Sequence, residues 1–232
     1  MSAKNYYAHP NMINETITCP IDGLIPLHSV TIYNESLRKQ TFSISPILPV
    51  CNICESEVEI KGNTQGITLI LLNGTCGSGK STTAEELLKS HGFLAIDGDC
   101  VLQVVRHKLG LKHVDFDSNE VFEEICKQID ILSAIGNKIV ITHIVMPNDL
   151  QKYKNLFLSK GINFRVILLK PRYEIAVERT KTRTCFGSIT PEEWVYYFYD
   201  KLAFADDEIE VIDNSELSVE QAALTLIKGM PH

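Results

Sequence analysis

Several things are scarce in this chain, and each scarcity excludes something. No apolar run approaches the about 20 residues that a membrane-spanning helix needs, so no span is expected. The first residues show no basic segment leading into an apolar one, so no export signal is expected. Basic residues are in deficit, with 22 Lys and Arg against 29 Asp and Glu and a net charge of −7. A dedicated nucleic-acid binder presents a basic surface that displaces counterions from phosphates, so nucleic acid is not the expected partner. A local basic site stays open. The seven cysteines are odd in number and scattered. They read as reduced cytoplasmic thiols and not as a disulfide framework. No internal repeat and no low-complexity segment is present.

With 232 residues, 44% of them apolar, the chain can bury the core of one α/β domain and carry a small appendage. Its character changes near residue 66. Before that point helix signals are poor, and Pro10, Pro20, Pro26, Pro46 and Pro49 interrupt any long helix. Short runs such as Val30–Tyr33 and Thr41–Ile44 read as strands, with a turn starting at Asn34. Residues 1–66 are therefore expected to form a small β-rich extension. Within it Cys51 and Cys54 make a CxxC pair, preceded by Cys19. With His9 or His28 these could hold Zn²⁺, but a second CxxC is missing. Spare structural thiols and a redox pair remain the other readings.

From residue 67 to 232, strand-like and helix-like segments alternate. Strands are expected over Ile67–Asn73, Phe93–Ile96, Lys138–Ile144, Phe164–Leu169 and Glu208–Ile212. Helices are expected over Ser81–Ser90, Asn119–Ile135, Asp149–Ser159, Tyr173–Thr180 and Ser218–Lys228, with another after Asp99. Val121, Phe122, Ile125, Ile129 and Leu132 form one stripe of the second of these helices. Thr190-Pro191-Glu192-Glu193 opens a further helix, expected to bury Trp194, Val195, Phe198 and Leu202. Alternation of this kind predicts an α/β fold, a doubly wound parallel sheet covered on both faces.

The segment Gly74-Thr75-Cys76-Gly77-Ser78-Gly79-Lys80-Ser81 satisfies G-x-x-x-x-G-K-[ST]. Its glycines let the backbone curl until successive N–H groups face phosphate oxygens. The helix that follows adds its positive end. Residues Gly74 to Thr82 are therefore the expected nucleotide contacts, with Lys80 on the β- and γ-phosphates and the Ser81 hydroxyl on Mg²⁺. The Cys76 side chain is expected to point away from the phosphates. A preceding apolar strand and a following amphipathic helix supply the context that separates this pattern from a chance glycine turn.

Ile96-Asp97-Gly98-Asp99 ends the next strand. Strand ends line the ligand crevice of a doubly wound sheet, so two carboxylates there can serve a bound metal and an attacking hydroxyl. An acidic solvated turn is the plainer alternative, with Gly98 permitting its tightness. Farther on, Arg172, Arg179, Lys181 and Arg183 precede the short glycine-bearing loop Cys185–Ser188. Arg179 and Arg183 share a face if their helix continues, and such a cluster can stabilise charge on a transferring phosphoryl group. A basic helix end favoured by the helix dipole is the alternative. Arg106, His143 and Asn214 are weaker candidates. His143 is the more natural structural histidine, and Asn214 sits where a helix-capping turn would stand anyway.

A glycine loop followed by Asp-Gly-Asp after the next strand resembles the small-metabolite kinases of the nucleoside-monophosphate-kinase-like group. Gluconate, shikimate and adenylylsulfate kinases and chloramphenicol phosphotransferases have this layout, with zeta-toxin-type and polynucleotide kinases farther off. The resemblance covers residues 67 to 229. It implies Asp97 near Mg²⁺, Asp99 as the base for the acceptor hydroxyl, an arginine lid at Arg179 and Arg183, and an adenine pocket bordered by the loop containing Asn214. Two departures stand out. Leu102 occupies the place of an arginine found in adenylylsulfate kinases, and Ile139–His143 lacks the terminal aspartate of a Walker B strand. The resulting expectation is ATP- and Mg²⁺-dependent transfer to the hydroxyl of a small molecule. A larger acceptor such as a polynucleotide end or a nucleotide-sugar, and an ATP-sensing module with little turnover, are the rivals.

Overall fold

In the computed structural model, the described residues are 63–110, 118–134, 136–181, 192–204 and 209–230, together with the backbone of four short N-terminal strands. Those strands are β1 (Thr16–Cys19), β2 (Gly23–Pro26), β3 (Val30–Tyr33) and β4 (Leu48–Cys51). β1 pairs antiparallel with β2, and β3 with β4. Val30–Tyr33 is the strand its sequence suggested. Pro49 lies inside β4, opposite Ile32. In a two-stranded ladder every strand is an edge, so a missing N–H can face outward without loss. The expected strand Thr41–Ile44, Cys54 and the side chains of Cys19 and Cys51 fall outside the described residues.

The remaining strands are β5 (Thr68–Asn73), β6 (Leu94–Asp97), β7 (Lys138–Thr142), β8 (Asn163–Leu169) and β9 (Glu210–Ile212). They form one five-stranded parallel sheet in the order β6-β7-β5-β8-β9. Helices α1 (Lys80–Ser90), α2 (Gly98–Leu109), α3 (Ser118–Ser133), α4 (Pro147–Ser159), α5 (Tyr173–Lys181), α6 (Glu192–Lys201) and α7 (Val219–Ile227) alternate with the strands. Every residue of central β5 is buried, as an uninterrupted apolar run with no polar face requires. The expected stripe of α3 is buried too. No helix among the described residues is long and apolar enough to cross a membrane.

Contacts divide the chain into two compact units. One is Met1–Ile67 with Ile96–Ile139, the other Thr68–Ala95 with Val140–His232. In the first unit α2 packs on α3. There Lys108 donates to Glu124 at 2.7 Å, and the Gln128 amide donates to it at 3.0 Å. Burial raises the carboxyl pKa of Glu124, but these two bonds outweigh it and hold the group below its ordinary value. In the second unit α1 packs on α7, and α5 on α6.

One expectation fails on α6. Val195 is fully buried, and Leu202 just beyond the helix is 2% exposed, but Trp194 is 53% exposed. Trp194 instead stacks on Phe198 one turn later, and Tyr196 and Tyr197 are also exposed. One face of this helix is therefore buried, not the broad stripe its apolar content suggested. Aromatic identity misleads there because large rings can cover one another on a surface.

Candidate active site

The phosphate loop lies wholly in the second unit. Three of its glycines have backbone that side chains resist: φ is 148° at Gly74, 76° at Gly77 and 93° at Gly79. At Gly77 the requirement is doubled, because a Cβ would stand 2.1 Å from the Ala176 carbonyl oxygen. Gly79 is the N-cap of α1, and no side chain caps that end. A helix start without a side-chain cap is the arrangement that suits an anion. Lys80 Nζ donates to Gly74 O at 2.6 Å and Thr75 O at 3.0 Å, which holds its charge over the loop. Ser81 is buried and Thr82 exposed in the first turn.

Around this loop the polar groups are closely tied. Asn73, fully buried at the end of β5, accepts from the N–H groups of Gly74 (2.8 Å) and Val145 (3.2 Å). Its amide donates back to Val145 O at 2.7 Å. One side chain therefore fixes the loop's entry against the segment between β7 and α4. The Thr75 hydroxyl donates to Val195 O at 3.2 Å, which ties the loop to α6. Cys76 packs against Ala176, Val177 and Val195.

A cavity of about 440 Å³ adjoins the loop. Its wall includes Gly79, Thr82, Arg179, Asn214, Leu217 and Val219, a mixture of apolar surface and a few polar groups that suits a flat heterocycle. Arg179 is half-buried and donates through Nη2 to Asn214 O at 3.1 Å. Asn214 is 4% exposed, and its amide donates to Ser78 O at 2.9 Å. Ser218 and Gln221 then form a reciprocal capping box on α7, so the helix-capping turn exists beside the cavity.

The acidic pair belongs to the first unit. Asp97 is 6% exposed, and one of its carboxylate oxygens accepts from the backbone N–H groups of Asp99 (2.9 Å) and Cys100 (3.3 Å). This is helix capping, and it revises the role given to Gly98. That glycine is the first residue of α2, not the hinge of a tight turn. Asp99 is exposed in the first turn of the same helix. Burial, together with the charges of Asp97 and Asp99, pushes the Cys100 thiol far above its usual range, so Cys100 stays a neutral thiol.

Other candidates resolve less favourably. The backbone N–H of His143 donates to Leu72 O at 3.3 Å, and its ring lies 6.2 Å from that of Tyr153 at the head of an aromatic run through Phe157 and Phe164. Arg172 pairs with Glu216, and Lys181 with Glu178 at 3.1 Å. Helix α5 ends at Lys181, and Arg183 and the loop Cys185–Ser188 lie outside the described residues. Among the described residues no cluster of three or more His, Cys, Asp or Glu could hold a metal. The Zn²⁺ reading of Cys19, Cys51 and Cys54 rests on groups outside them. Sequence reasoning missed Asn73 altogether. Its signal was a lone amide ending an otherwise apolar strand just before the first loop glycine.

Residues 70–188, just over half of the chain, match the family model described as an AAA domain. The chain belongs to this family. No curated protein matches it by sequence. Among solved structures, a gluconokinase from Sinorhizobium meliloti 1021 is similar with a TM-score of 0.52 at 18% identity, over 71% of this chain and 92% of that one. A tunicamycin resistance protein from Deinococcus radiodurans gives 0.50 at 18%, over 69% and 94%. A sugar kinase from Janibacter sp. HTCC2649 gives 0.50 at 19%, over 71% and 96%. At such identities the likeness is one of fold. The α/β fold that carries the glycine loop is thus shared with these kinase structures.

Proposed function

We propose that this AAA-domain member is an ATP-dependent phosphotransferase that moves a γ-phosphoryl group to a hydroxyl of a small-molecule acceptor. The observation that carries the reading is the start of α1, without a side-chain cap, behind three glycines of positive φ, with Lys80 held over the loop and a cavity beside it. The loop's N–H groups and Lys80 would bind the β- and γ-phosphates, and the cavity beside Arg179 and Asn214 would take the adenine.

The Ser81 hydroxyl offers a hard oxygen at the first turn, and Asp97 is a second oxygen donor, so both suit Mg²⁺. When bound, Mg²⁺ would supply charge neutralisation between the β- and γ-phosphates. Asp97 ends β6 as Asn73 ends β5, and ligands of open parallel sheets bind beyond strand carboxyl ends. On this reading Asp99 orients the acceptor hydroxyl and takes its proton. A bond forms between the acceptor oxygen and γ-phosphorus, the β,γ-bridging P–O bond breaks, and ADP leaves. Arg179 and Arg183 neutralise charge on the phosphoryl group in flight.

Asp99→Asn tests the role of the base. Transfer should fall by about 10² to 10⁴-fold while ATP affinity stays within about twofold. A variant that loses ATP binding along with transfer would contradict it.

A further inference from the structure

Asn214 is a buried amide that the triphosphate chemistry does not call for. We propose that it is a positioning residue that sets the phosphate loop from behind, by aiming the Gly79 N–H at the bound phosphate. The proposal rests on the phosphate-binding part of the reading above and not on transfer.

The argument begins with the peptide plane between Ser78 and Gly79. Across a trans peptide the carbonyl and the next N–H point in opposite directions. No peptide bond among the described residues is cis, and Ser78 O receives the Asn214 amide at 2.9 Å. A Ser78 carbonyl held toward Asn214 turns the Gly79 N–H the opposite way, at the N-cap of α1 where an anion would sit. Gly79 has the freedom to let this plane rotate, with φ at 93°. Something outside the loop must therefore choose its orientation, and the Asn214 amide is placed to do so.

Two further observations fit a positioning role better than ordinary packing. Asn214 Oδ1 is buried and has no hydrogen-bond partner among the described residues. A site selected for packing alone would shed that unpaired acceptor, whereas functional sites tolerate one. Asn214 is also clamped from both sides. Its own carbonyl receives Arg179, and the neighbouring Ser215 hydroxyl accepts from the Arg172 N–H at 2.8 Å while donating to Asp213. The turn Asp213–Ser215 thus hangs on the residue just before α5 and on the last turn of that helix, and the Asn214 amide reaches from that support to the loop.

Inorganic tripolyphosphate with Mg²⁺ is the probe, because it reports the loop without the base. Asn214→Asp keeps the size but removes the donor, and Asn214→Ser retains a shorter donor if the aspartate variant does not fold. Tripolyphosphate and ATP should each bind on the order of tenfold more weakly to either variant. Amide exchange at Gly79 should speed up in the free variants. Tripolyphosphate affinity within twofold of the parent would overturn the proposal, and so would a loss confined to adenosine and ATP, which marks a base contact. A parent protein that binds no tripolyphosphate overturns it as well. Failure to transfer phosphate to any acceptor, with tripolyphosphate still lost in the variants, would instead count against the kinase reading alone.

Discussion

The phosphate loop and the Asp97–Asp99 segment both follow a strand and open a helix, yet they are built on opposite terms. In the loop the glycines are dictated by space and torsion. Gly77 has positive φ and the Ala176 carbonyl where a side chain would start. Helix α1 is left without a side-chain cap. At the acidic segment Gly98 is ordinary helix, and Asp97 supplies the cap itself. The first end carries no side-chain cap, and the second spends its N–H groups on its own carboxylate. One helix start is therefore shaped to bind an anion, while the other brings negative charge of its own.

The largest effect that sharpens this contrast is expected at Gly77. Gly77→Ala would combine a forbidden torsion with overlap against backbone, and should cost about 3 kcal/mol or more in denaturant unfolding. Nearly parental stability would mean that the loop can move away from α5, and would break the comparison. Next comes Asp97, where two substitutions separate capping from metal binding. Asparagine caps a helix as well as aspartate does, so Asp97→Asn should unfold within about 0.5 kcal/mol of the parent, whereas Asp97→Ala should lose about 1 kcal/mol. If Asp97 also serves Mg²⁺, phosphoryl transfer falls in both variants. Unchanged Mg²⁺-dependent transfer in Asp97→Asn would leave the residue as a cap only.

An effect no larger than that of Asp97→Ala is expected at Glu124, away from either helix start. Its folded pKa is depressed, so the pair with Lys108 stabilises the fold above the unfolded value near 4.5 and is lost as pH falls through the folded value. Glu124→Gln should cost about 1 kcal/mol at neutral pH and nothing once the pH is below both values. Unfolding curves at pH 7 and pH 3 check this. A cost that persists at the lower pH would show that packing, and not charge, holds α2 on α3.

How much of this was legible beforehand follows the same division. The strand, loop and helix at 68–90 could be read almost residue by residue, because a motif with steric and electrostatic requirements leaves few alternatives. The stripe of α3 was legible for a similar reason, since its helical period leaves one apolar face. Trp194 was not, because hydrophobic character does not say whether a ring meets the core or another ring. Gly98 was misread as a turn, because Asp-Gly-Asp suits a tight turn as well as a capped helix start. Asn73 and Asn214 were hidden or faint for a different reason. Each acts on backbone atoms distant in sequence, Val145 in one case and Ser78 in the other, and no local pattern marks such a partnership.

The measurement that tests the central claim most directly is transfer from γ-labelled ATP with Mg²⁺ to a pooled panel of metabolites, nucleosides, sugars, antibiotics and short RNA. Parent, Lys80→Ala and Asp99→Asn proteins would be run side by side, with ATP binding measured for each. The account predicts a labelled small-molecule product from the parent and none above background from either variant, with ATP binding lost only in Lys80→Ala. A parent that binds ATP and labels nothing, or that labels the RNA alone, would contradict it.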